Sequence, residues 1–353
     1  MNSPTEAHPD PSPHAPRRRG CLFYVRRGLL GLIIILAGLV LLGVAYQAAA
    51  IELDKRGYAP RGQLYTVDGH QMHLVCMGEG GPTVVLQAGG VAESLWWTRT
   101  QNQLAAQTQV CAFDRPGLGW SEPVSGPRDA LTIDAELHAL LAQAGIAPPY
   151  VMVGHSFGAV LTRIYAAQYP DQIAGIVLVD SQIMIPHDFA SQSDFDAWKA
   201  PFDSTQTLFA ILTRIGVTRL TEAATFQGAG YPPDIAAEIV ALNARNQSLD
   251  TDYAEKVEGY RSMTEESAAA EDLGDLPLAV IWADGWASTD AVLADAPAVR
   301  AALSTYSTNS MTLTLAGSDH LSILANEQYA GQVSEAILAV IAAAESGTSL
   351  EQR

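Results

Sequence analysis

Positive charge is scarce in this chain: 20 Lys and Arg stand against 38 Asp and Glu, a net charge of −18 over 353 residues. Residues 1–50 hold five Arg against Glu6 and Asp10, a local +3, so −18 less +3 leaves −21 on the remainder. An acidic body of this kind repels phosphate backbones and argues against a nucleic-acid partner. Cysteine is also scarce. Cys21, Cys76 and Cys111 are the only three, and their spacing fits no metal-binding motif. No internal repeat is present. What the chain does have is apolar content. At 48% hydrophobic it can bury a large core, which excludes general disorder, and its length suits one large domain with an insertion.

Residues 1–27 form a tail without hydrophobic periodicity, rich in Pro, Ser and His before Arg17, Arg18, Arg19, Arg26 and Arg27. Residues 28–51 then carry no charge at all. About 20 apolar residues cross a bilayer as a helix, because a helix pairs its own backbone polar groups. Ala48, Ala49 and Ala50 would suit a signal peptidase, but the apolar run exceeds the ~7–15 residues of a signal peptide. The reading is an uncleaved single-pass anchor. Five Arg precede it, while Lys55, Arg56 and Arg61 follow. The positive-inside rule places the N-terminus in the cytoplasm and the body outside it.

Beyond residue 60 the pattern alternates. Residues 63–67 and 71–77 read as two strands joined at Asp68-Gly69, a hairpin turn dipeptide. Apolar, β-branched runs at 83–86, 110–113, 150–153, 173–179, 278–282 and 311–315 read as buried strands. Helical patterns separate them at 97–106, 131–144, 157–169 and 332–344. Strands alternating with helices predict a mostly parallel sheet covered on both faces. Residues 183–274 break the rhythm with helical, strand-free sequence. They read as a cap between core segments 60–182 and 275–345, over the carboxyl ends of the strands where ligands bind.

The decisive motif is Gly154-His155-Ser156-Phe157-Gly158, between a strand and a helix. A G-x-S-x-G elbow in that setting projects a nucleophilic Ser from the sheet. Larger side chains than Gly at 154 and 158 would meet the neighbouring backbone. The helix N-terminus favours a developing oxyanion. A Ser hydroxyl needs a base to take its proton. Of eight His, His8 and His14 lie in the tail, His70 and His73 flank the first hairpin, and His138 is helical. His187 begins the cap, and His155 points elsewhere in the elbow. His320 follows the last strand, in a loop that returns to the elbow in this fold, and is the expected base. The oxyanion hole is expected from the backbone N–H groups of Phe157 and of Gly90, in the Gly-rich loop after the 83–86 strand.

At these residues the chain resembles the α/β-hydrolase superfamily, and within it a bacterial subgroup of membrane-anchored or exported hydrolases. The matching blocks are residues 82–89, the Asp114-Arg115-Pro116-Gly117-Leu118-Gly119-Trp120-Ser121 run, 153–158 and 175–181. The resemblance covers about residues 60–345, with the cap poorly matched. The usual His-Gly of the oxyanion loop is Ala88-Gly89 here, and the usual Gly-x-x-Asp after the seventh strand is irregular. It implies an eight-stranded α/β-hydrolase sheet and a triad acid after strand six or strand seven. Asp180 follows strand six; Asp284 and, further on, Asp290 follow strand seven. Asp180 is placed first, Asp284 second and Asp290 third. The superfamily's strand order sets the second strand beside the fourth. That implies a Cys76–Cys111 disulfide, compatible with an exported body.

The expected activity is a serine hydrolase of the carboxylesterase kind, acting on a small-molecule ester through an acyl-enzyme, with no metal or organic cofactor. Ser rather than Asp at 156 argues against the dehalogenase and epoxide hydrolase variants. The rivals are an aminopeptidase, an acyltransferase or a cofactor-free haloperoxidase on the same scaffold, and a catalytically inactive membrane-tethered binding protein.

Overall fold

A computed structural model describes residues 21–126, 128–182, 189–285 and 301–350. Asp290 and His187 lie outside the described residues. The chain opens with helix α1, Cys21–Gly57, which extends the expected 28–51 span at both ends. It is long and apolar enough to cross a membrane, and its most apolar 18-residue stretch holds no buried side chain.

Eight strands follow: β1 Gln63–Val67, β2 His70–Met77, β3 Thr83–Gln87, β4 Val110–Phe113, β5 Tyr150–His155, β6 Ile173–Val179, β7 Leu278–Ala283 and β8 Ser310–Leu315. They make one sheet in the order β1-β2-β4-β3-β5-β6-β7-β8. The β1–β2 and β2–β4 pairs are antiparallel and all later pairs are parallel. This is the architecture the resemblance implies, with each strand within a few residues of its expected place. Asp68 and Gly69 both adopt positive φ, 47° and 87°, as a two-residue hairpin turn twisted with its strands requires.

Successive residues along the inner strands point to opposite faces. Val84, Leu86, Val151 and Val153 join one buried cluster; Val85, Tyr150 and Met152 join the other. Both faces are dry, which explains why the strands read as continuous apolar runs rather than alternating ones. Helices α2 Thr98–Leu104, α3 Ala130–Gln143 and α4 Phe157–Gln168 belong to the first part of the core. Between β6 and β7 lie α5 Gln192–Arg214, α6 Val217–Ala229, α7 Pro233–Asn243, α8 Asn246–Tyr253, a π-helical turn at Ala254–Glu258 and α9 Tyr260–Ala269. A short α10, Ser322–Ala325, and the long α11, Glu327–Ser346, close the fold. Helix α11 starts earlier than the periodicity suggests, because the Asn326 side chain accepts the N–H groups of Gln328 and Tyr329 and so caps it there.

Cys76 and Cys111 sit directly opposite each other on β2 and β4 and are disulfide-bonded. The bridge spans a separation of 35 residues. In the chain-entropy account, a loop of that length stabilises the fold by about 3–4 kcal/mol. The double substitution Cys76→Ala with Cys111→Ala is expected to lower the urea midpoint accordingly; an unchanged midpoint would show that the bridge contributes nothing.

Candidate active site

The parallel strands β3, β5, β6, β7 and β8 all end on one edge, and the candidate residues lie there. Ser156 is the first residue past β5 and the cap of α4, at φ 54° and ψ −121°. That left-handed conformation is costly for a residue with a side chain, about 1–3 kcal/mol. Its backbone is held on both sides. Ser156 N–H donates to Val179 O at 3.0 Å, and Ser156 O accepts from Ala159 at 3.1 Å and Gln182 at 3.0 Å. The elbow glycines have no room for substitution. A Cβ at Gly154 would sit 2.3 Å from Gly158 O, and one at Gly158 would sit 2.4 Å from Gln87 O. Both obstacles are backbone.

His320 lies past β8, with Nδ1 2.5 Å from Asp180 Oδ2. Asp180 is buried, sits at the end of β6 with φ 43°, and donates its N–H to Ile281 O at 2.7 Å. Its other carboxylate oxygen accepts the Ala283 N–H at 3.0 Å. Asp180 is thus fixed from two strands and aimed at His320. Asp284 is placed differently. It is exposed, and its Oδ2 accepts the Gly317 N–H at 3.2 Å, bracing the β8 loop. Asp319, beside His320, accepts the N–H groups of Leu321 and Ser322 and starts α10.

His155 has a larger part than the sequence suggested. It is buried, its Nε2 lies 3.0 Å from the His320 carbonyl oxygen, and the two rings are 4.5 Å apart. A carbonyl only accepts, so Nε2 carries the proton. Burial, and then the neighbouring His320, push the His155 imidazole well below its ordinary pKa, so it is neutral. His155 therefore ties the His320 loop to the elbow by backbone, independently of Asp180.

The loop after β3 packs against the elbow at Gly89, where a Cβ would come within 3.1 Å of Ser156 Cβ. Arg115 shapes this loop. Its guanidinium donates to the carbonyls of Ala88, Gly89 and Gly90 at 2.6–2.7 Å. In a trans peptide the C=O and N–H point opposite ways. With Gly89 O turned to Arg115, the Gly90 N–H is directed away from it. Arg115 is itself buried and pairs with buried Glu255 of the π-helical turn at 3.0 Å. Lys256, next along, forms an ion pair with Asp252 directly over Gly90. A cavity of about 500 Å³ adjoins the site, with Val91, Gln182, Trp198, Phe202, Phe209 and Tyr260 in its walls. Among the described residues, no cluster of His, Cys, Asp and Glu could hold a metal ion.

In the sequence Asp114 and Arg115 stand out only as part of the family block, with no role of their own. Asp114 is a buried knot: its carboxylate accepts from Ser94 N at 2.7 Å and Trp120 N at 3.0 Å, and lies 2.9 Å from His73 Nδ1. Burial would raise its pKa, but these bonds outweigh it and hold the carboxyl below its ordinary value. Glu93, fully buried beside it, goes the other way: burial first, then the negative field of Asp114, push its carboxyl well above the ordinary 4.5. The sign follows. A raised folded-state pKa means the fold binds the extra proton, so stability is lost as pH rises above about 4.5. Glu93→Gln is therefore expected to raise the thermal midpoint more at pH 7 than at pH 4. Equal shifts at both pH values would contradict a protonated Glu93.

The match to known proteins fits this geometry. Residues 82–324 match the family model described as the alpha/beta hydrolase fold. An uncharacterised protein of Schizosaccharomyces pombe is 32% identical over 150 residues, 34% of this chain and 28% of that protein. The chain spans less than half the length of the first curated relatives it matches. The crystal structure of Cfl2 from Burkholderia cenocepacia superposes with a TM-score of 0.60 at 24% identity, over 78% of this chain and 96% of that one. A thermophilic esterase from Thermogutta terrifontis gives a TM-score of 0.61 at 17% identity, over 79% of this chain and all of that one. At such identities the solved structures share the fold alone. The family match, across more than half of the chain and over the elbow, Asp180 and His320, carries the conclusion that this protein belongs to the α/β-hydrolase family.

Proposed function

We propose that this hydrolase is a membrane-tethered serine esterase with Ser156 as nucleophile, His320 as general base and Asp180 as the acid of the triad. The observation that carries the reading is the 2.5 Å contact of Asp180 Oδ2 with His320 Nδ1, on the strand edge that presents Ser156. Asp180 holds the Nδ1–H, which leaves Nε2 of His320 to take the Ser156 proton. Ser156 Oγ attacks the ester carbonyl. The resulting oxyanion is received by the N–H groups of Gly90 and Phe157, at the positive end of α4. His320 then passes its proton to the departing alcohol, leaving an acyl-enzyme. Water, deprotonated by His320, releases the acid and restores Ser156.

The helices between β6 and β7, within residues 183–274, act as the cap, and Lys256 and Asp252 form its edge over the oxyanion loop. The tether is α1, with the N-terminus in the cytoplasm and the hydrolase outside. The five Arg before the span support that orientation, and so does a disulfide, which persists in oxidising compartments.

Hydrolysis of a soluble p-nitrophenyl ester by the purified full-length protein tests the assignment. Ser156→Ala is expected to abolish turnover, and Asp180→Asn to reduce kcat by roughly 10³–10⁴-fold. Asp284→Asn is expected to cost less than about tenfold, since it removes one loop bond. The reverse ranking of the two Asp variants would move the acid away from Asp180.

A further inference from the structure

Helix α5 carries an apolar face that nothing in the described structure covers. Leu208 is 55% exposed and Ile211 50%, and Leu220 on α6 is 70% exposed. From residue 204 to residue 213 the helix has no charged side chain, in a protein of net charge −18. The hydroxyls along this stretch bond the helix's own carbonyls. Ser204, Thr205 and Thr207 donate to the carbonyls of Ala200, Pro201 and Asp203, each four residues back, at 2.8–3.1 Å. Bonded in this way, the hydroxyls would carry no unpaired donor into an apolar medium.

The contacts of α1 fix where this face lies. The turn between α5 and α6 packs on α1 at Gly43 and Tyr46. A Cβ at Gly43 would sit 2.7 Å from Ile215 O, and one at Gly216 would sit 2.9 Å from the Tyr46 ring. Buried Gln47 donates to Ala244 O at 2.6 Å and accepts from Arg219 at 3.2 Å. The first charge after the span is Glu52. Gly43 lies eight residues before Ile51, or about 12 Å at 1.5 Å per residue. A hydrocarbon layer of about 30 Å takes about 20 residues, counted from Gly28 to Gln47. On that count Gly43 lies four residues, about 6 Å, inside the layer's end, so the α5–α6 turn sits at the margin of the apolar layer, with Arg219 reaching out to pair with Asp54 beyond it. The uncovered side chains of the same two helices flank that turn. Phe202 and Phe209 belong to α5 as well, and each is half-exposed while also lining the cavity beside Ser156.

We propose that the α5–α6 face is a membrane-inserted entrance, through which an amphipathic ester with an aliphatic chain passes from the bilayer into the cavity. The substrate part rests on the esterase reading above; the membrane part rests on α1 as the bilayer tether and on its contacts with the α5–α6 turn. The apolar walls of the cavity suit a chain, and its end at Val91 and Gln182 adjoins the oxyanion loop and the Ser156 backbone.

The test uses the full chain in phosphatidylcholine liposomes, with Cys21→Ser leaving only the disulfide-bonded cysteines. Single substitutions Leu208→Cys, Ile211→Cys and Leu220→Cys are labelled with bimane, and Glu345→Cys on α11 is the control. Nitroxide-bearing lipid is expected to quench the first three labels and iodide to spare them, with the control showing the opposite. Labels quenched by iodide and indifferent to nitroxide lipid would overturn the proposal. So would labels that quench one another until diluted with unlabelled protein, since a second copy would then cover the face.

For the substrate, the triple variant Leu208→Ser, Ile211→Ser, Leu220→Ser is assayed on a soluble butyrate ester and on a bilayer-embedded monoacylglycerol. Turnover of the embedded ester is expected to fall about tenfold, with that of the soluble ester unchanged. Equal effects on both, or none, would overturn the entrance. Failure of the unsubstituted protein on every ester would overturn the substrate part together with the esterase reading, while the quenching judges the membrane part by itself.

Discussion

The left-handed turn at Ser156 is the constraint on which the rest of the site depends. Between β5 and α4 the chain turns through one residue at positive φ, and that residue carries the hydroxyl proposed as the nucleophile. The turn persists because its surroundings over-determine it. Val179, Ala159 and Gln182 bond its backbone, and glycines at 154 and 158 let neighbouring chain come closer than any side chain would allow. The same β6 strand that accepts the Ser156 N–H delivers Asp180 one residue later. The backbone that strains the serine therefore also sets the carboxylate.

Around that turn, buried polar groups hold loops that packing alone would leave free. Arg115 gathers three carbonyls of the oxyanion loop and is neutralised by Glu255, which comes from the insertion rather than the core. A buried pair of this kind is weak evidence for stability, but leaving either partner unpaired would be costly. It ties the insertion to the oxyanion loop at one point. His155 does the same for His320, bonding its backbone while Asp180 bonds its ring.

Much of this was legible in the sequence. The eight strands showed because strands buried on both faces read as unbroken β-branched runs, and the elbow showed because its glycines are required by local crowding. Asp180 and Asp284 could not be separated by pattern: both follow a strand, and only the tertiary fold turns one to His320 and the other to Gly317 N–H. Arg115, Glu255 and Glu93 left no signal, since partners 140 residues apart, as Arg115 and Glu255 are, obey no local period. His155 was read as pointing away from the chemistry. Its ring bonds the backbone of the loop that carries His320. The proximity of the exposed α5 face to α1 appears only in three dimensions.

The central claim is that Ser156 is the activated nucleophile. Its most direct test is treatment of the purified full-length protein with a fluorophosphonate, followed by intact mass and peptide mapping. The account predicts a single adduct on Ser156, absent from Ser156→Ala. A folded protein that takes no adduct, or takes one on another residue, would contradict it.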